Sequence, residues 1–170
     1  MTIVHPPAWL EDEFHVPEAE DMGSINHSYL QSQIASLFQT TGDYVALTEL
    51  SLDSTMVKDE FGIGESIVPD IAIYQRKTFG KINWRKDQVK ASKMPLLVIE
   101  ILSPMQAVQQ LIDKLAIYFE LGVQSCWLVY PSSNTVEVYS APYQAESFAS
   151  GTIHDARLNI TLEIDAIFTF

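Results

Sequence analysis

The chain has 170 residues, 47% of them hydrophobic, and a formal net charge of −12. That length and apolar content exclude a disordered chain and suit one domain with a sizeable single core. The acidic balance opposes a general affinity for nucleic acid, because a negative surface repels the phosphate backbone.

In chain order, residues 1–22 are rich in proline and acids and read as an acidic arm that packs through Trp9, Leu10 and Phe14 or not at all. They have neither the basic start nor the apolar stretch of a signal peptide. No apolar run nears the roughly 20 residues of a membrane span, so a soluble cytoplasmic protein without membrane partners is expected. Residues 23–170 read as one domain. "GSINHSYLQSQIASLFQTTG" has Ser24 as N-cap, Gly42 as stop, and Leu30, Ile34, Leu37 and Phe38 at helical spacing. "YVALTELSL" and "SIVPDIAIY" read as strands around a polar turn region at 58–65. Next comes a basic loop. Residues 1–57 contain no lysine or arginine, whereas seven of the ten basic residues fall between 76 and 93, opposed only by Asp87.

"PLLVIEIL" then reads as a buried strand, apolar on both faces. Ser103-Pro104 is expected to end it and start a helix, proline at the first helical position costing little. That helix, "MQAVQQLIDKLAIYFELG", places Val108, Leu111, Ile112, Leu115 and Phe119 on one face, with Gly122 closing it. "SCWLVYPSSNTVEVYS" predicts a hairpin, with Cys126, the lone cysteine, as a small core residue. "ARLNITLEI" predicts one further strand. A helix joining two sheet strands marks an α/β domain with a partly parallel, mixed sheet.

Asp70 in "IVPDIAIY" and Glu100 in "LLVIEILSP" share an oddity, since each carboxylate is flanked by apolar residues. A charge in such surroundings must be neutralised, paired or bound to a metal. Pro69 places Asp70 at a strand end or edge. On neighbouring strands both carboxylates could point at one spot, and a divalent cation would relieve their repulsion. Mg²⁺ suits such a site, being held by one or two carboxylates plus water. Lys114, the only lysine after residue 93, lies on the edge of the helix's apolar face, beside Ala107, Leu111 and Tyr118. From there it could point at the same spot.

"VPDIAIY", "LLVIEILSP", "DKLAIYFELGV" and "CWLVYP" together resemble, in order, the endonuclease family of the Uma-two type, a branch of the PD-(D/E)XK nuclease superfamily. The resemblance runs from about residue 25 to 140. It implies a restriction-endonuclease-like mixed β-sheet flanked by helices. It assigns Asp70 and Glu100 as ligands of Mg²⁺ (or Mn²⁺), with the backbone carbonyl of Ile101 as third ligand and Lys114 to orient or activate the attacking water. The implied activity is hydrolysis of nucleic-acid phosphodiesters, DNA first, by a homodimer that cuts both strands. The superfamily's lysine position two residues after the acid is Leu102 here, and Lys114 takes that role from the next helix. Gln110 and Tyr130 stand where the family pattern carries Asp.

Other readings stay open at this point. Asp70 after proline could be a turn residue that accepts backbone hydrogen bonds. Glu100 and Lys114 could form a structural ion pair, as a catalytically inactive binding or assembly module would keep. Arg76, Lys77, Lys81, Arg85 and Lys86, with Phe79 and Trp84 interspersed, read either as a solvated loop or as a nucleic-acid contact flanking the cleft. His27 reads as a packed or capping residue, and Glu49 as an extra carboxylate or an outward-facing one.

Overall fold

Helix α1 (Ile25–Thr40) opens residues 23–170, the part of the chain that the computed structural model describes; the acidic arm 1–22 lies outside the described residues. Ser24 caps α1 as its sequence predicts, its Oγ accepting from the His27 N–H at 3.2 Å. After α1 come β1 (Tyr44–Thr48), β2 (Leu52–Asp53), α2 (Lys58–Phe61), β3 (Ser66–Ile67), β4 (Ile71–Gln75) and α3 (Arg76–Phe79). The second half holds β5 (Leu97–Ile101), α4 (Val108–Glu120), β6 (Ser125–Tyr130), β7 (Thr135–Ala141), β8 (Gln144–Phe148), β9 (Thr152–Asp155), β10 (Ile160–Glu163) and α5 (Ile164–Phe168).

Among the described residues one sheet has six strands, in the order β1-β4-β5-β6-β7-β8. Only β5 and β6, the strands joined through α4, run parallel; the other neighbours are antiparallel. This is the mixed α/β sheet that the strand-helix-strand order predicts. Side chains alternate between its faces. Ile99 and Ile101 of β5 join Ile71, Ile73, Trp127 and Val129 in a core closed by Leu30, Ile34 and Phe38 of α1. Val98 points the other way, with Cys126 and Leu128, into a core closed by Leu111, Leu115 and Tyr118 of α4 and by Leu52 and Ile67 of the small β2/β3 ribbon. Helices on both sides explain why every residue of β5 is buried. Glu100 belongs to the α4 face. Among the described residues no helix is long and apolar enough to cross a membrane.

Several boundaries differ from the sequence reading. "YVALTELSL" breaks at Glu49, whose φ of 53° interrupts extended backbone. "SIVPDIAIY" breaks at Val68–Asp70, because Pro69 has no N–H to give a ladder. Pro104 does not start α4. It sits in a turn closed by the Gln106 N–H on the Ser103 carbonyl (3.1 Å), and the helix begins only at Val108. In "ARLNITLEI" only Ile160–Glu163 is a strand, and it pairs with β9, which the pattern did not reveal; β8 also went unread because its side chains are almost all exposed.

Candidate active site

Antiparallel pairing brings the start of β4 to the end of β5. Ile71 lies opposite Ile99, so Asp70, one residue before β4, falls beside Glu100 and Ile101. The Ile101 N–H donates to Asp70 Oδ2 at 2.7 Å. Asp70 thus accepts a backbone bond, but across strands rather than within a local turn. This is also the C-terminal end of the parallel pair β5/β6, the side of an α/β sheet on which ligand crevices form.

Helix α4 brings two partners to Glu100, one turn apart. Lys114 Nζ lies 2.8 Å from Glu100 Oε1, and the Tyr118 hydroxyl donates to the same oxygen at 2.8 Å. Lys114 Nζ also donates to the Val68 carbonyl at 2.7 Å, tying the approach to Asp70 to the helix. Glu100 is only 2% exposed. Burial is the largest influence on its acidity and pushes the carboxyl up from its ordinary 4.5 to about 7. The Lys114 charge pulls it back, the Asp70 charge pushes it further up, and hydrogen bonds from Lys114 and Tyr118 favour the ionised form. Burial, followed by the nearby Glu100, likewise holds the Tyr118 phenol well above its usual range.

Helix α1 closes the site from the other side. His27 Nε2 stands 3.0 Å from Asp70 Oδ2. That hydrogen bond raises the imidazole above its ordinary 6.5; burial opposes it, and the charges of Asp70, Glu49 and Glu100 add to it. One turn on, Gln31 Nε2 donates to Glu49 Oε1 (2.6 Å) and to the Asp70 carbonyl (2.9 Å). The Glu49 N–H reaches that same carbonyl at 3.2 Å. These side chains, with Gln110, line a polar cleft of about 600 Å³.

Residues 17–165 match the Uma2 family, described as "Putative restriction endonuclease". The chain belongs to the Uma2 family. A solved structure from Anabaena variabilis, described as "a putative nuclease belonging to DUF820", shares the fold with a TM-score of 0.68. Its sequence is 24% identical, with 87% of this chain and 83% of that chain covered. No protein of curated function matches.

In this Uma2 chain the geometry brings Asp70, Glu100, Ile101 and Lys114 together. Three further participants were not read as such from the sequence. His27 pairs with Asp70 rather than merely packing or capping, Gln31 bridges Glu49 and Asp70, and Tyr118 holds Glu100. The available signal was spacing: His27/Gln31 and Lys114/Tyr118 are each polar residues four apart on a helix face that is otherwise buried. Glu49 lies on the cleft wall. Tyr130 is elsewhere, donating to Glu137 Oε2 at 2.7 Å.

The basic segment does not line the cleft. Arg76 follows β4 at the end opposite Asp70, and no residue of 76–93 lines the cleft. Arg76 is a structural clamp, its guanidinium donating to the carbonyls of Gly42 and Tyr44 at 2.8 Å each. Lys77, Lys81, Arg85 and Lys86 are exposed.

Among the described residues no three His, Cys, Asp or Glu side chains are grouped to hold a metal ion. Two carboxylates and a carbonyl are oxygen donors of the kind that suits Mg²⁺ or Mn²⁺ with water completing the shell, and not a closed zinc site. Hydrogen bonds from described residues fall on Asp70 Oδ2 and Glu100 Oε1 rather than on Oδ1 and Oε2.

Proposed function

We propose that this Uma2 protein is a metal-dependent endonuclease that hydrolyses phosphodiester bonds of nucleic acid, with DNA as the substrate. The observation that carries the reading is the convergence of Asp70, Glu100 and Lys114 at one end of the antiparallel β4/β5 pair. Asp70 and Glu100, with the Ile101 carbonyl, would hold Mg²⁺ (or Mn²⁺). Bound there, the ion would polarise the scissile phosphate and make the attacking water more acidic. Lys114 has three N–H donors. Two are engaged by Glu100 and Val68, and the third is available to a phosphate oxygen that gains charge in the transition state. His27 and the Ile101 N–H fix the Asp70 carboxylate, while Tyr118 fixes Glu100. In the reaction a water oxygen bonds to phosphorus, the bond from phosphorus to one sugar oxygen breaks, and that oxygen takes up a proton. A homodimer would present two such sites, one for each strand of a duplex.

One observation favours a second reading, an inactive binding or assembly module. The Glu100–Lys114 pair is complete with protein atoms alone. Calorimetric titration of Mn²⁺ into the wild type and Asp70→Ala, together with nicking of supercoiled plasmid in Mg²⁺, separates the two. The nuclease reading expects saturable Mn²⁺ binding that Asp70→Ala abolishes, and nicking that disappears in Asp70→Ala and in EDTA. Neither heat nor nicking would leave the module.

A further inference from the structure

The basic segment is left without a role in the cleft, yet it encloses a feature of its own. After α3 the chain makes an excursion that returns at Ala91, which bridges to Leu52. Between this excursion and the sheet lies a groove of about 480 Å³. Leu47, Leu50, Phe79 and Ile82 give it apolar walls, and three lysines, Lys81, Lys86 and Lys93, outnumber its single acid, Asp87. Trp84, two residues from Lys86, is 88% exposed, and Val89 is 92% exposed. An indole so exposed beside exposed cations is unusual on a chain whose net charge is −12.

Among the described residues the side chains of Lys77, Lys81, Arg85 and Lys86 meet no carboxylate; the described ion pair of this segment is Lys90 with Asp53 at 3.5 Å. The charges of these four side chains are therefore not spent on the protein's own acids. A ligand complementary to this surface carries repeated negative charges and flat apolar groups between them. A nucleic-acid single strand has both, and aromatic side chains amid cations are how such strands are held. Duplex DNA offers only its charges, since its bases are stacked inside.

We propose that residues 79–93 form a second nucleic-acid contact, a groove that takes a short single-stranded stretch. Bases lie against Phe79 and Ile82 in the groove and against exposed Trp84 on the same excursion, and phosphates lie on Lys81, Lys86 and Lys93. The identity of the ligand rests on the nuclease reading. The groove shares no lining residue with the cleft, but the two adjoin through the β1–β2 connection, where Glu49 faces the cleft and Leu50 the groove. Tyr74, on the groove, is four residues along β4 from Asp70, or about 13 Å at 3.3 Å per residue. That span corresponds to a few nucleotides of an extended single strand. The groove thus holds the strand a few nucleotides from the scissile phosphate and selects substrates that are unpaired there, such as flaps or gapped ends.

The test uses the full chain, a fluorescein-labelled oligothymidylate and fluorescence anisotropy in EDTA, where no cleavage intervenes. The wild type is expected to bind with a log–log salt slope of about −2, for three phosphates of a single strand. The double variant Lys81→Glu/Lys86→Glu should weaken binding at least about tenfold, and Trp84→Ala about fivefold or more. All three side chains are exposed, so these changes spare the core. Loop variants that bind like the wild type, or a wild type that does not bind at all, overturn the proposal. So does a change in sedimentation coefficient with binding unaltered, which would make this face a self-association surface. Loop-dependent binding without any cleavage in Mg²⁺ supports the groove and refutes only the nuclease reading.

Discussion

Lys114→Met tests whether Lys114 is the charge that keeps buried Glu100 ionisable. Methionine keeps most of the aliphatic stem and removes the ammonium, so packing against Tyr118 changes little. In the wild type Glu100 rises from 4.5 unfolded to about 7 folded. Between those values the folded state binds more protons than the unfolded, so stability falls as pH rises. Each unit corresponds to 1.36 kcal/mol, giving a decline of about 3 kcal/mol that ends near pH 7. Without Lys114 the carboxyl titrates higher still, so the decline continues past pH 7. At pH 5 Glu100 is neutral in both folded proteins, and the variant loses mainly the bond to the Val68 carbonyl, about 1 kcal/mol. Above pH 7 the deficit should grow by up to about 1.4 kcal/mol per unit until the variant's own midpoint is passed. It should approach the roughly 3–5 kcal/mol typical of a broken buried ion pair. Urea unfolding of both proteins at pH 5, 7 and 8.5 measures this directly. A deficit that is the same at all three values would refute the assignment of Glu100 as the titrating group and of Lys114 as its compensating charge.

Two further outcomes follow from other parts of the structure. The raised pKa of His27 means that its pairing with Asp70 stabilises the fold fully below about pH 6.5, and that this stability is lost as pH rises through the folded value. His27→Gln should therefore lose more stability at pH 6 than at pH 8.5 in urea titrations; an equal loss would mean that the imidazole is uncharged in the pair. Asp155 is fully buried and accepts from Ser125 Oγ (2.5 Å), Trp127 Nε1 (2.9 Å) and the N–H groups of Arg157 and Leu158 (3.1 and 3.2 Å). Asp155→Ala strands these donors and should cost about 3–5 kcal/mol, lowering Tm by roughly 10 °C. A drop under about 2 °C would show that water replaces the carboxylate there.

The sequence by itself determined the parts of this protein that depend on local chemistry. A carboxylate inside "LLVIEIL" must have a partner, a proline before Asp70 must end a ladder, and Leu30, Ile34 and Phe38 at helical spacing must bury one side of a helix. Those constraints act within a few residues, so they single out Asp70 and Glu100, while Lys114 rests on its helix-edge position and on the family resemblance. Spacing along one strand or helix says nothing about which neighbour it meets, and that was left to the tertiary structure. Only the antiparallel register of β4 on β5 sets Asp70 against Ile101, and only the packing of α1 over that strand end makes His27 and Gln31 part of the site. The basic segment shows the same limit from the other side. It lies between the two carboxylates in sequence, yet β4 carries its start away from Asp70, because a strand separates its two ends by its own length.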